Sequence, residues 1–169
     1  MRWAAVILSG GAGSRLGGAD KGALRHDGRT FLEHAREAVS DADEVVVVGP
    51  EVDGGPLAAV AAGVAGLTSR PELVVLLAVD MPHVGAATVS RLLAAVEAGG
   101  EDCDGAWLTG ADGRRQLAGA VRPGAVPAPS AAAGAPMRLL MQSESARDVP
   151  AVGREAEDVD TWDDLARLD

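Results

Sequence analysis

The sequence predicts an α/β fold, a doubly wound and mostly parallel sheet with helices on both faces and one added hairpin. Three observations carry the prediction. The apolar runs at 3–8, 45–48 and 73–79 are continuous rather than alternating, as strands buried on both faces require. Helix start signals fall between and after them, giving the order β-loop-α-β-α-β-α, the pattern of Rossmann-like sheets. The first run also ends directly in L-S-G-G-A-G-S-R-L-G-G-A-D-K, residues 8–21. Five of those fourteen residues are glycine, so the backbone can turn its N–H groups onto an anion, and Arg15 and Lys21 add positive charge. A phosphate loop at the carboxyl end of a strand is where such sheets bind ligands.

The loop matches neither better-known glycine motif. A P-loop needs lysine followed by Ser or Thr, and here Gly22 follows Lys21. The dinucleotide fingerprint starting at Gly11 would need glycine at position 16, which is Leu16.

The 169 residues are 47% hydrophobic, enough to bury a full core, and their length suggests a single domain, 1–169. Four aromatic residues and no tyrosine leave the core to Val, Leu and Ala. A net charge of −10 with no long basic run argues against nucleic acid as a partner. The single cysteine, Cys103, excludes an internal disulfide and a multi-cysteine metal site; its acidic context, E-D-C-D, reads as surface. The N-terminal apolar run is too short for a signal core, and nowhere do eighteen uncharged apolar residues follow one another. No membrane association and a cytoplasmic location are expected.

In chain order, 22–24 reads as briefly extended before the turn His26-Asp27-Gly28. Thr30 and Glu33 form a capping box that opens a helix to about residue 40. Pro56 suits the first turn of a helix over 57–67, so Gly55, Pro56 and Leu57 should present an open, amide-rich N-terminus to an anion. A helix over 86–98 follows the strand 73–79 and stops at Gly99-Gly100. Residues 105–109 and 114–122, around the turn 110–113, read as the added hairpin. The Ala/Pro-rich stretch 123–136 reads as a loose connection, with a short helix at 137–142 and an edge strand at 149–152. Thr161 and Asp164 cap a last helix over 162–168.

Two acidic positions stand out. Asp80 ends seven apolar residues, where a carboxylate is costly unless paired; Mg²⁺ shared with substrate phosphates would pair it, and the alternative is a cap on the turn before Pro82. Asp158 and Asp160 alternate in D-V-D-T, so an extended segment turns both to one face and either could be a second metal ligand; the alternative is an acidic helix entry. His26, His34 and His83 have no metal-site spacing, His34 reads as a surface residue, and Ser9 is placed to bond a phosphate or the backbone.

Five motifs in this order, L-S-G-G-A-G-S-R-L-G-G-A-D-K-G, G-G-P-L-A, L-L-A-V-D-M-P, D-G-R-R-Q and D-V-D-T-W-D-D-L-A, resemble the nucleotidyltransferases of the molybdenum cofactor guanylyltransferase type. The resemblance implies an Mg²⁺-dependent transfer of GMP from GTP to the phosphate of molybdopterin. It implies that Leu8, Ser9 and Gly10 contact base or ribose, that Gly11, Ala12, Gly13, Ser14, Arg15 and Lys21 hold the triphosphate, and that Asp80 binds Mg²⁺ with Asp160 near the metal. Arg15, Lys21 and Asp80 are then the catalytic set. Transient contact with cofactor-biosynthesis or acceptor proteins is implied as well. One departure concerns base recognition: the second strand ends in Val48-Gly49 where the family often has Asn, and the segment to Gly55 is short. Either the shortened segment holds the base differently, or Glu51 or Asp53 substitutes for the usual acid. Transfer to another phosphorylated acceptor (CTP or a sugar phosphate as substrate), or nucleotide binding without catalysis, remain alternatives.

Overall fold

A computed structural model describes residues 1–10 and 16–168. Its strands are β1 (Trp3–Leu8), β2 (Arg25–His26), β3 (Arg29–Thr30), β4 (Glu44–Val48), β5 (Leu73–Ala78), β6 (Gly105–Thr109), β7 (Arg115–Val121) and β8 (Ala146–Pro150). Its helices are α1 (Phe31–Ala38), α2 (Pro56–Ala65), α3 (Ala86–Gly99), α4 (Pro129–Ala132), α5 (Arg138–Met141) and α6 (Trp162–Ala166). Six strands form one sheet in the order β4-β1-β5-β7-β6-β8, and β2 and β3 form a separate hairpin.

The apolar runs alternate between two cores. Ala5, Ile7, Leu73, Val75 and Leu77 pack on one face with residues of α1 and α3; Val6, Leu8, Val74 and Leu76 pack on the other with residues of α2 and α5. In β1 and β5 continuous hydrophobicity therefore reports double-sided burial; β4, read the same way, lies at the sheet edge and is only partly buried before Val48. Helix α2 lies unusually close to the sheet because a Cβ at Gly63 would come within 2.4 Å of Val6 Cγ1.

Two parts of the topology differ from expectation. The hairpin is not an outer addition: β7 pairs antiparallel with β5 on one side and β6 on the other, and β8 then runs parallel to β6 at the edge. Only β7 runs against the rest, so the carboxyl ends of five strands and the amino end of β7 share one edge. Residues 22–24 are not extended; Lys21–Ala23 is a 3₁₀ turn, because the Asp20 carboxylate caps Gly22 N–H at 2.9 Å and winds the chain there. The Cys103 side chain is buried against Gly105 O at 3.2 Å rather than at the surface. His34 is only partly exposed, as its Nε2 donates to the carbonyl of His26 at 2.8 Å and the rings of His26, His34 and His83 gather in one cluster. Among the described residues, no helix is long and apolar enough to cross a membrane.

The capping box at Thr30 forms as read. Glu33 N–H donates to Thr30 Oγ1 at 3.1 Å and Thr30 N–H to Glu33 at 2.6 Å. Phe31 N–H bonds Leu24 O at 2.8 Å, so the start of α1 braces the turn that carries Lys21. Thr30→Ala should therefore cost about 1 kcal/mol of folding stability, and Glu33→Gln less, as read from urea denaturation midpoints.

Candidate active site

The site lies along the shared strand edge. At the end of β1, Ser9 N–H bonds Val48 O at 2.8 Å, tying the loop root to β4. A Cβ on Gly10 would stand 2.8 Å from Gly49 C and O, so the backbone crosses the end of β4 where only glycine fits. After Leu16, which is buried, Gly17 and Gly18 turn the chain at positive φ and the 3₁₀ turn brings Lys21 back toward the sheet. Gly22 packs so near Ser9 that a Cβ there would meet Ser9 Oγ at 2.6 Å. The root of the loop and its return thus close on each other. Gly11, Ala12, Gly13, Ser14 and Arg15 lie outside the described residues.

Lys21 Nζ donates to Asp80 Oδ2 at 2.8 Å and to Asp160 Oδ1 at 2.7 Å. Asp80 follows β5, and Asp160 arrives from the segment between β8 and α6, which is registered by Val159 N–H on Asp80 O at 2.9 Å. The buried Val159 alternates with Asp158 and Asp160, whose side chains are more exposed, as the D-V-D pattern predicts. Partial burial works against the Lys21 charge, but its hydrogen bonds to Asp160 and Asp80 outweigh that and raise its pKa above 10.5. Loss of water around Asp158, then the negative charges of Asp160 and Asp80, push its carboxyl above the usual range.

Two expected nucleotide contacts are constrained by burial. Leu8 sits in the core and its carbonyl accepts from Val79 N–H at 3.0 Å, so it roots the loop rather than offering a side chain. Leu57 is likewise fully buried, leaving only its backbone for a ligand. Gly55 is the N-cap of α2 and gives no side-chain cap, while Pro56 is exposed at the first turn. Glu51 folds back onto the end of β4, accepting from Gly49 N–H at 3.1 Å. The pairing of one lysine with two distant aspartates was not legible in the sequence, which assigned Lys21 to phosphate and the aspartates to metal.

Residues 5–151 match the family described as MobA-like NTP transferase domain. A molybdenum cofactor guanylyltransferase of Xanthomonas euvesicatoria pv. vesicatoria (strain 85-10) is 38% identical over 104 residues, 54% of this chain and 54% of its own length. The chain thus spans about half the length of the curated relatives it matches. Rv0371c from Mycobacterium tuberculosis H37Rv has a similar structure, with a TM-score of 0.72 at 26% identity over 99% of this chain and 97% of that one. The molybdopterin-guanine dinucleotide biosynthesis protein A of Archaeoglobus fulgidus shares the fold, with a TM-score of 0.75 at 18% identity over 98% of this chain and 96% of that one.

Replacing Lys21 with Met removes the charge but keeps the stem. K21M should lose roughly 1–3 kcal/mol of stability, less than a fully buried pair would, because Asp160 is partly in water. A double-mutant cycle with Asp80→Asn should give a coupling of about 1 kcal/mol or more; additive effects would mean that the ion pair does not form in solution.

Proposed function

The chain belongs to the MobA-like NTP transferase family, and from that premise we propose that it transfers GMP from GTP to a phosphate oxygen of molybdopterin carrying molybdate, releasing pyrophosphate. The observation that carries the reading is the convergence of Lys21, Asp80 and Asp160 on one cation position beside the loop root at Ser9 and Gly10. The curated relatives named molybdenum cofactor guanylyltransferase favour guanine and molybdopterin over other substrates.

In this mechanism an acceptor phosphate oxygen attacks the α-phosphorus of GTP in line as the bond to the bridging oxygen of the β-phosphate breaks, and its electron pair leaves with pyrophosphate. No side chain becomes a nucleophile. The chain supplies positioning and charge: amides of the loop 10–15, Arg15 and Lys21 hold the phosphates, and the uncapped first turn of α2 at Gly55, Pro56 and Leu57 adds backbone dipoles. Ser9 Oγ, packed at Gly22, stands at the mouth of the loop.

The donor set fits Mg²⁺. Asp80 Oδ2 and Asp160 Oδ1 are hard oxygen ligands that already converge on one cation, the Lys21 ammonium; among the described residues no third His, Cys, Asp or Glu joins them in a metal cluster, and two carboxylates with substrate phosphates are what Mg²⁺ commonly uses. Asp80 and Asp160 would hold the ion, and when bound it would neutralise charge on the phosphates. Base selection falls to Glu51, whose carboxylate lies at the end of β4 and can accept from the two N–H donors of the guanine edge.

Asp80→Asn should keep its fold and lose about a hundredfold or more in turnover, measured as pyrophosphate released from GTP, Mg²⁺ and acceptor. Retained turnover would leave Asp80 as the ion-pair partner of Lys21 and no more. Competition of CTP and ATP against bound GTP checks the base contact: Glu51→Gln should lower the preference for GTP by about tenfold, some 1.4 kcal/mol, while triphosphate affinity survives. An unchanged preference would move base recognition to the backbone or to Asp53.

A further inference from the structure

The segment 151–161 carries Asp158 and Asp160 across the strand edge without a helix or strand of its own. Backbone bonds fix it at two points, Ala151 N–H to Thr109 O and Val159 N–H to Asp80 O, each at 2.9 Å, and side-chain anchors place the rest. One is Val159, buried in the core; another is the cap of α6, where Asp164 accepts from Asp160 N–H at 3.1 Å and Thr161 N–H at 2.9 Å. The third is Glu155, whose side chain is 13% exposed and reaches the first turns of α3. Glu155 accepts from Thr88 Oγ1 at 2.7 Å, from both terminal nitrogens of Arg91, and from Val152 N–H at 2.8 Å. Thr88 is 1% exposed and accepts in turn from Gly85 N–H at 3.2 Å, so the anchor includes the start of α3, five residues after Asp80.

This arrangement costs more than space-filling requires. An apolar residue of similar volume would cover α3 without partly desolvating a carboxylate and a guanidinium, so a half-buried ion pair adds little to stability alone. It is a good device for register, because a carboxylate with four donors from three directions has one low-energy placement. Burial opposes the Glu155 charge, yet Arg91, Val152 and Thr88 hold its carboxyl below the ordinary value.

We propose that Glu155 is a positioning residue: by keying 151–161 onto α3 it sets where the carboxylates of Asp158 and Asp160 stand relative to Asp80. The inference rests on the reading of Asp80 and Asp160 as a divalent-cation site. Asp158 and Asp160 lie three and five residues beyond the anchor, and Asp80 lies just before the helix that receives it. Glu155 thus joins the two halves of the site from outside it.

Mn²⁺ affinity of the full chain, read by electron paramagnetic resonance or calorimetry with and without a non-hydrolysable GTP analogue, tests this alongside thermal melting. E155Q and, as a second variant that keeps the charge but loses the fork, R91K should each weaken Mn²⁺ about tenfold, with E155D restoring part of it. Glu44→Gln is the control for stability alone: Glu44 clamps Thr68 and Ser69, so this variant should melt lower with Mn²⁺ affinity unchanged. Wild-type affinity in folded E155Q and R91K overturns the positioning role and leaves the cation site standing. No Mn²⁺ binding by the unaltered chain overturns the cation-site reading and this inference with it.

Discussion

One ammonium group, that of Lys21, stands between carboxylates 59 and 139 residues away in sequence, and the arrangement of the strand edge depends on it. Asp80 is only 20% exposed, so its charge loses much of its water on folding and must find a partner there. Lys21 supplies it, and in doing so fixes where the glycine loop ends. Asp160 shares the same donor group, which binds the C-terminal segment to the strand that carries Asp80. Three stretches that the chain order keeps apart are held by contacts to one nitrogen.

The sheet makes such a meeting possible. Because β7 alone runs against the others, loops from the ends of β1, β4, β5 and β8 open on one side. Placing β7 between β5 and β6 has a second effect: it moves β6 and β8 outward, so the chain after Pro150 must travel back across the edge to reach Asp80. That return path is the segment 151–161. Its lack of regular structure follows from the route, since it crosses the strand ends and finds no backbone ladder to join.

Local signals were legible where local physics decides. The runs 3–8 and 73–79 read as buried strands because both faces of each are covered, and the boxes at Thr30 and Thr161 read as helix starts because both hydrogen bonds lie within four residues. The D-V-D alternation placed Val159 inward, with Asp158 and Asp160 as the more exposed neighbours. Long-range choices were not legible. A hairpin pattern at 105–122 does not say which strand it joins, and the acidic setting of Cys103 hid a buried thiol. The contacts of Lys21 with Asp80 and of Glu155 with Arg91 carry no spacing signal: Lys21 and Asp80 each stand out singly with nothing to pair them, and Glu155 and Arg91 read as ordinary charged residues.

Charge bookkeeping at the strand edge limits what the cluster can do. Asp80, Asp158 and Asp160 against one lysine leave an excess of negative charge, which adds to the loss of water that chiefly raises the Asp158 carboxyl. A triphosphate is itself strongly anionic, so Lys21 alone, already engaged with two carboxylates, is a weak attractor for it. Under the proposed function Arg15 adds to it, and a divalent cation entering with the nucleotide would meet both needs, compensating the aspartates and the phosphates together. On that reading the ammonium and a metal would form one electrostatic unit: a cation held by Asp80 and Asp160 would draw on the carboxylates that now bind Lys21.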